Sequence, residues 1–94
     1  MKIGRENRRM TAKEMFEELG YIFTKESNLD HEEKEHLFIY KRYHEPHYSE
    51  ISFNNSTKLV AFQNECHGQH SFTLFGQETI KAIHQQVKEL GWFE

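Results

Sequence analysis

The chain writes the same helix ending twice. Glu18-Leu19-Gly20-Tyr21 and Glu89-Leu90-Gly91-Trp92 each close a run whose apolar residues recur at helical spacing. A glycine at that place can adopt the left-handed conformation with no clash at Cβ, which releases the chain from the helix. The aromatic residue after it can fold back over the last turn. One such ending lies near each end of the 94 residues. Two helices therefore bracket the polypeptide, and the middle must supply the surface that both cover.

The first helix has a written beginning as well. Thr11-Ala12-Lys13-Glu14 is a capping box, with Met10 and Met15 at the positions of a hydrophobic staple. Ala12, Met15, Phe16 and Leu19 share one face, and Lys13, Glu14, Glu17 and Glu18 cover the other. So short a helix does not hold its shape alone in water and must dock. For the last helix, Gly76 or Thr73 is the expected cap, with Glu78 in the first turn, where the helix dipole favours an acid. Ile80, Ile83, Val87 and Leu90 are its expected buried stripe; Lys81, Gln85, Gln86 and Lys88 are expected to face water.

Between the helices the period changes to two. Residues 21–25 are β-branched and aromatic and read as a first strand. Residues 26–35 are polar and mostly acidic: a loop, with a helical turn expected at 30–35 and its acids read as a solvated run rather than a cation site. Residues 36–43 are apolar on both faces, which predicts a central strand. Glu45-Pro46 breaks it with a turn. Residues 48–53 alternate, with Ser49, Ile51 and Phe53 on one side. After a turn at 54–57, residues 59–63 return as the other arm of a hairpin. A loop is expected at 64–69, hinged at Gly68, and a last strand at 71–74. Connectors this short force antiparallel pairing. The expected fold is α+β: an antiparallel β-meander of four to five strands with an N-terminal and a C-terminal helix packed on one face.

Ninety-four residues bound the chain to one domain, read as residues 10–94 preceded by a flexible basic arm, 1–9. The arm carries Lys2, Arg5, Arg8 and Arg9 against Glu6; with a net charge of −3 overall, the body carries −6. An acidic body argues against charge-driven nucleic-acid binding, except through the arm. Apolar residues are only 36% of the chain, so its 13 aromatics must carry the core. A single cysteine, Cys66, permits no internal disulfide and favours a reducing, cytoplasmic setting. No apolar run reaches the ~18 residues of a membrane span, and residues 1–9 lack the apolar core of a signal peptide.

Chemistry, if present, lies with the histidines. Four of the seven fall in two loops, His44-Glu45-Pro46-His47 and Cys66-His67-Gly68-Gln69-His70. Alternate connections of a meander lie at the same end of the sheet, so these loops are expected to be neighbours. His44, His47, Cys66, His67 and His70 are thus the candidate ligands for zinc or another transition metal. Against that, H-x-x-H does not place two ligands on one helical face, and one cysteine lacks the spacing of structural zinc sites. No nucleophile elbow, phosphate loop or H-E-x-x-H is present, so no catalytic residue is assigned. Cys66 and His67, as neighbours in an extended chain, point to opposite faces. Tyr40, Tyr43, Tyr48, Phe53 and Phe62 could form a base-stacking platform, but few cations accompany them, and core packing is the favoured reading.

Residues 10–21 (Met10-Thr11-Ala12-Lys13-Glu14-Met15-Phe16-Glu17-Glu18-Leu19-Gly20-Tyr21) resemble the opening of a group of small phage and prophage proteins of Gram-positive bacteria. Ile39-Tyr40-Lys41, Ile51-Ser52-Phe53, Ile80-Lys81-Ala82-Ile83 and Lys88-Glu89-Leu90-Gly91-Trp92 are similar to the rest of that pattern. The resemblance spans residues 10–92 and implies no activity and no functional residues; the histidine loops are not part of it. The expectation is a non-enzymatic accessory protein that binds a protein partner or a second copy of itself. The alternatives are metal binding through residues 44–47 and 66–70, and nucleic-acid association through the basic arm.

Overall fold

A computed structural model describes residues 10–27, 36–72 and 74–93. Residues 1–9, expected to be a basic arm, and residues 28–35, which include the helical turn expected at 30–35, lie outside the described residues. Helix α1 spans Ala12–Glu18 and α2 spans Gln77–Glu89. Between them run β1 (Ile22–Ser27), β2 (His36–His44), β3 (His47–Asn54), β4 (Leu59–Cys66) and β5 (Gln69–His70). They form one antiparallel sheet in the order β1-β2-β3-β4-β5, with each strand beside its sequence neighbour. The α+β meander expected from the sequence is the fold observed.

The helix ends are built as their residues dictate. The Thr11 hydroxyl accepts from the Glu14 amide (3.2 Å), and the Glu14 carboxylate accepts from the Thr11 amide (2.9 Å). At the other end Gly20 has φ +95°. There the Tyr21 amide bonds back to the Phe16 carbonyl and the Gly20 amide to that of Glu17, each at 3.0 Å. This double bond pattern with a left-handed glycine satisfies carbonyls that the helix leaves open. Tyr21 then meets Phe16 edge to face, with ring centroids 5.4 Å apart. The second ending repeats it: Gly91 has φ +78°, Trp92 bonds to Val87 (3.2 Å) and Gly91 to Lys88 (3.0 Å). Gly76 is the N-cap of α2.

The core lies between the helices and one face of the sheet. Ala12 and Phe16 of α1 are fully buried, as are Tyr40, Ile51 and Phe53 of the sheet and Ala82 of α2. Tyr21 joins them, and Met15, Leu19, Ile83, Val87, Leu90 and Trp92 pack around them. Phe16 stacks on Tyr40 with ring centroids 4.0 Å apart. The two helices are tied to each other by Glu89, whose carboxylate accepts from the Ala12 amide at 2.8 Å, an otherwise open donor in the first turn of α1. On the opposite face of the sheet Ile39 is also buried, while Ile22 and Leu59 are exposed.

Two expectations are corrected. The buried face of α2 departs in part from the expected stripe. Ile83, Val87 and Leu90 pack on the core as expected, but Ile80 is exposed, and Thr79, Ala82 and Gln86, the last expected to face water, are buried. The cause is polar. Tyr40 carries its phenol to the foot of α2, and the hydroxyl donates to Gln86 Oε1 at 2.5 Å. Burial first, then the nearby negative charges of Glu89 and Glu17, hold that phenol well above its usual pKa. The last strand is also misplaced by the sequence reading. β4 runs on to Cys66, and β5 is Gln69–His70 rather than 71–74; residues 71, 72 and 74 belong to no strand. His67 and Gly68, at φ +57° and +78°, make a two-residue turn of the kind that joins twisted antiparallel strands.

The twin endings predict matched losses. Gly20→Ala and Gly91→Ala each place a Cβ on a left-handed residue and should cost about 1 kcal/mol. At Gly20 the new Cβ would also meet Arg42 Cδ at 3.3 Å, which adds to the loss there. Urea unfolding of both variants against the wild type checks the two losses.

Candidate functional site

Alternation along the strands sorts side chains into rows that cross the helix-bearing face. Tyr40, Ile51 and Phe62 are register partners, and so are Phe38, Phe53 and Val60. Farther along the strands the chemistry changes. Arg42, Ser49 and Asn64 form the next row, followed by His44, His47, Cys66 and Gln69. Apolar rows sit under the helices, and polar rows lie beyond them.

The polar rows floor a cleft of about 390 Å³. Arg42, Ser49 and Asn64 line it with His47 and Cys66; Phe72, Leu74 and Phe75 form its apolar wall. Asn64 organises the wall. Its Oδ1 accepts from the Ser49 hydroxyl (2.6 Å), and its Nδ2 donates to Ser71 Oγ (3.0 Å) and to the Phe72 carbonyl. The Ser71 amide also bonds to the Asn64 carbonyl at 3.0 Å. These contacts bend the chain off the sheet edge toward α2, and Phe75 meets Phe62 edge to face at 4.9 Å. Phe72 and Leu74 are left 88% exposed.

Arg42 is anchored. Its guanidinium donates to the Leu19 carbonyl at 3.1 Å and lies 4.7 Å from the Tyr21 ring centroid. It therefore stabilises the carbonyl end of α1 and the aromatic residue that follows the helix. Burial raises the Tyr21 pKa, and the Arg42 charge opposes that rise.

The two histidine loops are neighbours, as the meander requires. His47 is the register partner of both His44 and Cys66, and the His67 amide bonds to the Pro46 carbonyl at 3.1 Å. Their side chains do not converge further. His44, His47, His67 and His70 are exposed and Cys66 is half-buried. Among the described residues no three His, Cys, Asp or Glu side chains gather as a metal site. The aromatic platform is divided as well. Tyr40 and Phe53 are buried in the core, Phe62 lies on the same face, and Tyr43 and Tyr48 pair with each other on the opposite face (6.3 Å). Those five rings share no open surface.

Sequence reasoning missed Asn64 and the wall it holds, having placed both in a loop and a strand. The signal was His67-Gly68, a dipeptide fit for two consecutive left-handed residues. Among the described residues no helix is long and apolar enough to cross a membrane. No family model, no curated protein and no solved structure matches the chain.

Replacing Arg42 separates its two roles. Arg42→Met removes the charge that lowers the Tyr21 pKa, so the Tyr21 phenol should titrate still higher, as read by absorbance of the phenolate. The lost hydrogen bond and ring contact should lower stability by about 1–2 kcal/mol. The sign follows from linkage. A phenol whose folded pKa is raised contributes stability that is full below the unfolded value of about 10 and is lost as pH rises through the folded one.

Proposed function

We propose that the protein is a non-enzymatic accessory factor of phage or prophage origin that acts inside the host cell by binding another protein. One observation carries the reading: Phe72 and Leu74 stand 88% exposed beside Phe62, which is 47% exposed. Lone exposed apolar residues need no explanation, but large ones grouped at one corner mark binding surfaces. This group borders the free part of β4, where backbone donors and acceptors can add to side-chain contact. The cleft beside it offers hydrogen-bonding groups and the anchored cation of Arg42. The resemblance of residues 10–92 to small phage proteins agrees with an accessory role.

Photocrosslinking tests this. Benzoylphenylalanine at position 72 should form a discrete adduct with a protein partner in host lysate, and excess unlabelled protein should compete it away. Leu74→Ser should reduce that adduct at least several-fold. The same probe at Lys81, on the exposed face of α2, should not form it. Identical adduct patterns at 72 and 81 would overturn the reading.

A further inference from the structure

We propose that two copies of this chain join edge to edge through β4, as an antiparallel pair about a two-fold axis at Ala61. The inference rests on reading this corner as a protein-binding surface, and it assigns the open edge of β4 within that corner to a second copy of the chain.

The edge is open and unguarded. β5 pairs with β4 only at Glu65 and Cys66, and the Ser71 amide adds one bond at Asn64. Among the described residues no strand pairs with Leu59–Gln63 on that side. Edges that stay solvent-facing are commonly blunted by charge, proline or a bulge. β4 has none from residue 59 to 64: Leu-Val-Ala-Phe-Gln-Asn, paired residue for residue with β3. By sequence, β1 at the other edge carries Lys25 and Glu26.

The register follows from hydrogen-bond direction. The Asn64 carbonyl faces outward, because it accepts from Ser71. Alternation then turns the backbone groups of Phe62 and Val60 outward and those of Ala61 and Gln63 toward β3. A two-fold pair that uses those outward groups and stops short of β5 sets Val60 against Phe62 of the second copy, in hydrogen-bonded positions. Ala61 then faces Ala61 of the second copy in the closer, non-hydrogen-bonded position, with Cα atoms about 4.5 Å apart.

Both faces of such a joint are compatible. Val60 and Phe62 meet on the helix-bearing side, where Phe62 is 47% exposed alone. Leu59, 65% exposed on the other side, comes opposite Gln63. Charge selects the antiparallel sense. Lys58 and Glu65 flank the uncharged stretch at opposite ends. An antiparallel pair brings the lysine end of one copy to the glutamate end of the other, whereas a parallel pair would align like with like.

The full chain should run at the mass of two copies by size exclusion with light scattering at tens of micromolar. Ala61 is exposed, so changes there spare the core. Ala61→Glu, which sets two carboxylates face to face on the axis, should shift the mass to one copy while leaving the urea midpoint of a single chain unchanged. In a Cys66→Ser background, Ala61→Cys should oxidise to a covalent dimer, and Lys81→Cys should not. A wild-type chain that stays at the mass of one copy, or equal crosslinking at 61 and 81, overturns the proposal. If the position 72 photo-adduct with a host protein survives either result, edge pairing alone has failed and the broader protein-binding reading stands.

Discussion

Tyr40 joins all three layers of contact in this fold. It stands at the centre of β2, stacks on Phe16 of α1 and donates its hydroxyl to Gln86 of α2. Phe23 and Phe53 flank it with centroids at 5.1 and 6.1 Å. A small domain with few aliphatic residues gains much of its buried area from rings. One ring that serves sheet and both helices makes their docking a single event. It also sets the rotation of α2, because a buried phenol without an acceptor costs about 1–3 kcal/mol. Gln86 meets that need, and Ile80 is turned to the outside.

Around this centre the helix ends are held by local rules and by each other. Each ends on a left-handed glycine with two backward hydrogen bonds, so neither needs a long loop to reach the sheet. The Glu89 carboxylate, in the last turn of α2, serves an amide at the start of α1. Arg42 serves the carbonyl of Leu19, the C-cap of α1, from the sheet. The seven-residue α1 thus has a partner at each end, which compensates for a length that is marginal in isolation.

What could be read in advance was local and repeated. The capping box at Thr11, the glycine stops and the alternation of Ser49, Ile51 and Phe53 each depend on neighbours within a few residues, and each is present as expected. The adjacency of the histidine turns followed from topology alone. What could not be read depended on distant partners or on unusual backbone. Gln86 is polar by composition and buried because Tyr40, 46 positions away, requires an acceptor. The strand end at Cys66 was hidden because the polar run from Asn64 to Gln69 reads as one loop, although its His67-Gly68 pair forms a two-residue turn between two strands. That error moved β5 and concealed the cleft wall, so the exposed pair Phe72 and Leu74 was read as strand rather than surface.

The proposed interaction surface is the remainder of this arrangement. The core under the helices reaches from β1 to Val60 of β4, the bent chain after β5 leaves the outer edge of β4 open, and apolar side chains gather where coverage ends. All of it presupposes that Tyr40 and Gln86 lock α2 onto the sheet. A double-mutant cycle with Tyr40→Phe and Gln86→Leu, followed by urea unfolding, measures that lock directly. Coupling of about 1 kcal/mol or more is predicted, with the double variant losing less than the two single losses together. Strictly additive losses would contradict it.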